Sequence, residues 1–336
     1  MVPNARFIEF LNDIEPSSTT KTQASKAHTA VRDHLWAHAT FKKRMVTDFL
    51  AGSYIRDTAI RPRKTAEGIE RPDVDIIIVT DYTVDDDPET VLNDLAKALA
   101  TGFTVERINK RSVRVVTRNA EIDVVPVCLD GDRYQLPDRD LGRWKPTNPP
   151  AHTTWSTKQN ERFEQRFKPL VKLQKWWRRE NKTGKRPKGF VLEVLVSLNA
   201  PDKERHYGEA FAQLLENIYA NYGALAAAGH KPFIEDPGVP GNDIMSKVSI
   251  TDWKAFIERV RVHAGYARRA QNEQDDEEAT RLWRRIFGDR FPAAPKAAVR
   301  SESLGRVAAV APVAPVGLGY QFPDRNAAPS MPRSFA

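Results

Sequence analysis

The chain has 336 residues, room for two domains of ordinary size, and its single cysteine, Cys128, rules out an internal disulfide. Hydrophobic residues at 40% and charged residues at 29% describe a globular protein with an ample core, and no apolar run is long enough to cross a bilayer. The formal net charge of +8 favours partners that carry phosphate.

The opening Met1-Val2-Pro3-Asn4-Ala5-Arg6 lacks the apolar core of a signal peptide, because Asn12, Asp13 and Glu15 arrive too soon. With one cysteine, that fits a reducing cytoplasm. Phe7, Phe10 and Leu11 begin a helical pattern that runs to about Trp36. Ser17-Ser18-Thr19-Thr20 interrupts it and suits the cap of a second helix ending near His38. A short helix is expected over 41–49, leading into a Gly52-Ser53 turn. Residues 57–70 are polar and basic, without apolar periodicity, and read as a loop. Asp73 to Val79 is the first strong strand. Pro88 to Leu99 reads as a helix, with Pro88 in its first turn and Val91, Leu92, Leu95 and Leu99 on one face.

Two candidate strands follow at 103–105 and 113–116, with a turn at 109–112. Glu121 to Val127 is another strand, and Cys128 beside it reads as a buried small hydrophobe. The order predicts an α+β fold: a mixed sheet with helices on one face, then an all-helical domain. Pro, Gly and Asp crowd residues 137–150, which sets the domain boundary there. Helices are expected at 156–181, 190–198, 209–228, 252–270 and 273–287, with a Pro/Gly loop at 234–242. The domains are therefore 1–150, 151–288 and an Ala/Pro-rich tail, 289–336, that is expected to be disordered.

The chemistry gathers in three places. Gly52-Ser53 at the start of a helix offers N–H groups and a hydroxyl to a phosphate. Asp73 and Asp75 alternate on a strand and share a face. If the Asp123 strand lies beside theirs, three carboxylates converge, and clustered anions call for divalent cations, magnesium best. That is a two-metal arrangement for phosphoryl or nucleotidyl transfer. The competing reading puts these aspartates at solvated strand ends. His152, His206, His230 and His263 show no metal-ligand spacing.

The ordered set of Gly52-Ser53-Tyr54 through Pro62, Asp73-Val74-Asp75 and Asp123 resembles the nucleotidyltransferases of the polymerase-β superfamily. It is most similar to the oligoadenylate synthase and cyclic GMP-AMP synthase group. Within that group it resembles the bacterial cGAS/DncV-like nucleotidyltransferases of CBASS anti-phage systems. Leu170-Val171-Lys172-Leu173-Gln174-Lys175-Trp176-Trp177 is similar to the group's helix with a phosphate-binding lysine, which makes Lys175 that lysine and Lys172 a companion one turn earlier. On an amphipathic helix both also fit a solvated face. Phe190 falls where the group places a ring that stacks on the donor base, and Asp236-Pro237 with Gly241-Asn242 matches its Asp-Pro…Asn loop. Trp176 and Trp177 are read as packing between domains.

The resemblance implies a bilobal synthase that joins nucleoside triphosphates, ATP or GTP, into a cyclic di- or trinucleotide messenger. It implies two magnesium ions, with manganese as substitute, on Asp73, Asp75 and Asp123, while Gly52, Ser53, Lys172, Lys175 and Phe190 bind nucleotide. No nucleic acid is needed on this reading, and no membrane. Rival readings are a nucleotidyltransferase acting on RNA or protein, and a catalytically silent nucleotide sensor. The terminal Arg333-Ser334-Phe335-Ala336 suggests, by the same resemblance, a partner that conjugates the C-terminus in a ubiquitin-transfer-like way.

Overall fold

A computed structural model describes residues 1–65, 68–181 and 187–294, with backbone alone at 64, 65, 68 and 69. The tail expected to be disordered lies, from 295 on, outside the described residues, as do Arg333 to Ala336.

Helices α1 (Asn4–Ile14) and α2 (Ser18–Ala37) open the chain. The Ser17 hydroxyl accepts from the Thr20 N–H at 3.1 Å, so the serine run does cap the second helix. A 3-10 turn at Phe41–Arg44 then feeds β1 (Met45–Ala51), where a helix was expected. Partnership decides this: Phe49, Leu50 and Ala51 pair antiparallel with the next long strand, opposite Ile77, Ile76 and Asp75. The chain continues through α3 (Gly52–Ile55), the small hairpin β2 (Lys64–Thr65) and β3 (Gly68–Ile69), β4 (Asp73–Thr80) and α4 (Pro88–Ala100). Then come β5 (Thr104–Ile108), β6 (Val113–Val116), β7 (Glu121–Asp130), β8 (Arg133–Asp138) and β9 (Arg143–Thr147).

The last two strands form a hairpin across much of the expected linker. Its turn holds Gly142 at φ 57°, a left-handed conformation that glycine takes without steric cost. The helix expected at 156–181 is two helices, α5 (Pro149–Arg162) and α6 (Phe167–Glu180). Glu164 and Gln165 stand between them at φ 48° and 68°, which no α-helix permits. Buried Phe163 and Phe167 anchor the bend. The chain ends its described part with α7 (Gly189–Asn199), α8 (Tyr207–Ala227), the hairpin β10 (Glu235–Asp236) and β11 (Val239–Asp243), α9 (Ile250–Asn272) and α10 (Asp276–Phe287).

Among the described residues the main sheet runs β1-β4-β7-β6-β5, with β8 and β9 continuing from β7. β4 and β7 are parallel, and the other pairs are antiparallel. Alternation splits β4 cleanly. Val74, Ile76 and Ile78 pack with Leu35 of α2 and with Leu92, Leu95 and Leu99 of α4. Ile77 and Val79 face the other way, with Phe49 and Val127. Asp73 and Asp75 share this second face.

The helical core joins α6 to α10 around Trp177, Trp253, Trp283 and Phe287. It also takes Phe7, Phe10 and Ile14 of α1, which the sequence reading had grouped with the sheet. The apolar stripe of α1 fits that core. Trp176 and Trp177 belong to the same core rather than bridging the lobes, and Phe291 is fully buried in it, past the expected boundary at 289. Cys128 is buried and free. No helix of the described residues is long and apolar enough to cross a membrane.

Candidate active site

β1 delivers the chain to α3 at the edge of β4. Gly52 sits there at φ 73°, and a Cβ on it would fall 1.7 Å from Asp75 Oδ2. Glycine is thus required twice, by its backbone angle and by the carboxylate pressed against it. Tyr54 pegs the turn into the sheet's helix-covered core, edge-on to buried His28 at 5.7 Å. Burial pushes the His28 imidazole down to about 4.

The parallel register sets Asp75 directly opposite Asp123. Ligand oxygens of Asp73, Asp75 and Asp123 all lie within 4.8 Å of one another. Burial first, then the charges of Asp73 and Asp123, push the Asp75 carboxyl up to about 7. A guanidinium partly relieves the crowd. Arg114, opposite Asp123 on β6, donates to Asp73 at 2.9 Å, to Glu121 at 2.6 Å, and to Asp123. Hard oxygen donors, close-set and short of positive charge, fit a divalent cation. The ordering of three acidic side chains on one face is therefore what the sequence led us to expect.

A cleft of about 580 Å³ opens over this face, lined by Gly52, Ser53, Asp73, Asp75, Lys175 and Phe190 among others. Lys175 reaches it from α6 and donates to Thr58 O at 3.1 Å, Thr58 Oγ1 at 3.0 Å and Glu193 Oε1 at 2.8 Å. Lys172 does not line it. One turn earlier, its Nζ is held by Glu15 at 2.7 Å and Asp57 at 3.3 Å. Phe190 is half-buried on the cleft wall, with Arg56 over its ring at 5.1 Å and His152 at 4.7 Å.

Three residues near the site were not singled out from sequence for it. Glu193 on α7 is fully buried and accepts from Arg56 Nε and Nη2 at 3.0 Å, Thr58 Oγ1 at 2.9 Å and Lys175. Burial alone would raise its carboxyl, but Lys175 and Arg56 outweigh that and hold it down at about 2. The four groups tie the α3 turn to the helical lobe. The signal was available: one acid inside Phe190-Val191-Leu192-Glu193-Val194-Leu195-Val196, an otherwise apolar run, needs buried cations. His152 is the second. Its Nε2 meets Asp236 Oδ1 at 2.6 Å, and that carboxylate also accepts from Gly238 N–H at 2.9 Å and Asn242 at 3.0 Å. The Asp-Pro…Asn loop thus braces a ring that packs on Phe190. Arg114 is the third, visible only once the strand register is known.

Residues 1–160 match the Second Messenger Oligonucleotide or Dinucleotide Synthetase domain. Over its full length the chain is 44% identical to a cyclic AMP-AMP-AMP synthase of Acinetobacter sp. (strain ATCC 27244 / 9458), covering 98% of that protein. In fold it is similar to Escherichia coli MS115-1 CdnC solved with ATP, at a TM-score of 0.69 and 18% identity, across 87% of this chain and 99% of that one. It is similar also to the Bradyrhizobium diazoefficiens CD-NTase CdnG in complex with GTP, at 0.70 and 17%, across 85% and 95%.

Proposed function

The chain belongs to the cGAS/DncV-like nucleotidyltransferases, makers of cyclic oligonucleotides, and from that premise we propose that it joins three AMP units from ATP into a ring. The convergence of Asp73, Asp75 and Asp123, the first two lining the cleft, carries this reading. The 44% identity to a cyclic AMP-AMP-AMP synthase supports the choice of ATP and of a trinucleotide. The product would act as a second messenger in anti-phage defence, in the cytoplasm. The C-terminal tail would be the point of ubiquitin-transfer-like conjugation.

In the first two steps the oxygen of an acceptor ribose hydroxyl attacks the α-phosphorus of a bound ATP, and in the last the free ribose hydroxyl of the linear trimer attacks the α-phosphorus of its own 5′ triphosphate. The bond to the leaving pyrophosphate breaks as the new phosphodiester forms, and the hydroxyl proton departs. Asp123 would take that proton. Magnesium ions held by Asp73, Asp75 and Asp123, with manganese as substitute, would supply Lewis acidity to hydroxyl and leaving group. Gly52 and Ser53 offer N–H and hydroxyl donors to the triphosphate, and Lys175 adds a cation from the other lobe. Glu193 pairs with both Lys175 and Arg56 at the cleft wall. Phe190, braced by His152, offers a face to the adenine. The sheet lobe up to about residue 150 carries the acids, and α6 and α7 carry Lys175 and Phe190 on the facing wall.

Incubation of the purified protein with ATP and magnesium, with no polymer added, tests this by mass spectrometry. The expected product is a phosphatase-resistant cyclic triadenylate, lost in Asp73→Asn and Asp75→Asn. Dependence on added RNA, or full product from either variant, would overturn it.

A further inference from the structure

We infer that Arg114 is a positioning residue for the transfer reaction, standing in for a divalent cation between Asp73 and Asp123 and fixing how Asp123 faces the other two carboxylates. This rests on the proposed reading of the acidic triad.

Arg114 lies on β6 with its side chain 14% exposed. One nitrogen, Nη2, bridges Asp73 Oδ1 and Asp123 Oδ2. Nη1 holds Glu121 at 2.6 Å, and Nε holds Asp123 Oδ1 at 3.3 Å. A single fork therefore spans three carboxylates on two parallel strands. It brings positive charge where two members of the triad meet, as a metal ion would. A lysine carries the same charge but lacks the planar fork.

Asp123 is fixed further on one side. Its Oδ1 also accepts from Asn109 Nδ2 and Ser112 Oγ, each at 3.1 Å. Donors thus converge on Oδ1, and the carboxylate is not free to rotate. Oδ2, shared through Arg114 with Asp73, is the oxygen left for the triad. A cation bound there must loosen Nη2 from both Asp123 Oδ2 and Asp73, while the Glu121 and Nε contacts keep the fork seated. Arg114 then plays opposing parts. It competes for the metal, and it holds Asp123 in line. A strand-to-strand ion pair of purely structural value does only the second.

Manganese binding measured by electron paramagnetic resonance, on the full chain without nucleotide, separates these parts. Arg114→Gln removes a positive charge next to two ligands, so manganese should bind at least about tenfold more tightly. The same variant should unfold at a lower temperature in chelator, recover with manganese, and lose at least tenfold in kcat with KM for ATP little changed. Arg114→Lys keeps the charge, so its manganese affinity should stay near the parent's while kcat still falls. Unchanged or weaker manganese binding by Arg114→Gln overturns the inference alone, provided Asp75→Asn abolishes binding. If Asp75→Asn binds manganese normally, the triad reading fails and this inference fails with it.

Discussion

Replacing Asp75 with asparagine is expected to stabilise the protein in the absence of metal at pH 8. The Asp75 carboxyl stands at about 7 in the fold against 3.8 for the free group, because it is buried and faces Asp73 and Asp123. A folded value above the unfolded one means that the fold prefers the neutral acid. Stability is unaffected below pH 4, falls as pH rises from 4 to 7, and stays reduced above 7. Roughly three units at 1.36 kcal/mol each set an upper bound of about 4 kcal/mol, and coupling within the triad brings this nearer 2 to 4. Asparagine keeps the shape and removes the charge, so the variant should gain that amount at pH 8 and about a third of it at pH 5. Scanning calorimetry in chelator at both pH values measures the gain, and a repeat with magnesium measures what the ion adds. Magnesium should raise the parent's Tm at pH 8 and leave the variant's unmoved. A variant that is less stable than the parent at pH 8 in chelator, or that answers magnesium equally, would refute the charge-crowding argument.

Glu193→Ala leaves Arg56 and Lys175 buried without their carboxylate and should cost about 3 to 5 kcal/mol in chemical denaturation. Because the Glu193 carboxyl is depressed to about 2 from 4.5, its stabilising contribution is complete above pH 4.5 and should be lost as pH falls toward 2, so the variant should lack that part of the parent's acid transition. Gly52→Ala places a Cβ against Asp75 Oδ2 at a positive φ, and product formation should drop at least about a hundredfold while circular dichroism stays native. Lys175→Ala should raise KM for ATP about tenfold or more. Lys172→Ala should leave KM within about twofold, with a loss of stability from its pairs with Glu15 and Asp57 as its main effect, and steady-state kinetics beside thermal melts distinguish the two.

The acidic triad was legible because strand alternation is strictly local. Asp73 and Asp75 must share a face, and isoleucine and valine runs mark both strands as buried. The α3 turn was legible too, as glycine and serine at a strand-to-helix junction. β1 was not, since Met45-Val46-Thr47-Asp48-Phe49 has no clear period and takes its form from β4. The break between α5 and α6 was hidden because Glu164 and Gln165 carry no helix-stopping signature. Lys172 was grouped with Lys175 because residues 170–177 resemble the family's lysine-bearing helix and the two lie one turn apart. Three residues along a helix turn the side chain by about 60° and shift it by about 4.5 Å, enough here to send it to Glu15 instead of the cleft. Glu193, His152 and Arg114 depend on contacts between distant parts of the chain. Arg56 and Glu193 are 137 positions apart, and His152 and Asp236 are 84 apart. Composition can mark such a residue as odd, but it does not name the partner.

Anomalous diffraction from crystals grown with manganese and a non-hydrolysable ATP analogue tests the central claim most directly. The account predicts manganese peaks within ligand distance of Asp73, Asp75 and Asp123, with the triphosphate between the Gly52-Ser53 turn and Lys175. A triphosphate bound in the cleft with no manganese at those carboxylates, or manganese bound elsewhere on the chain, would contradict it.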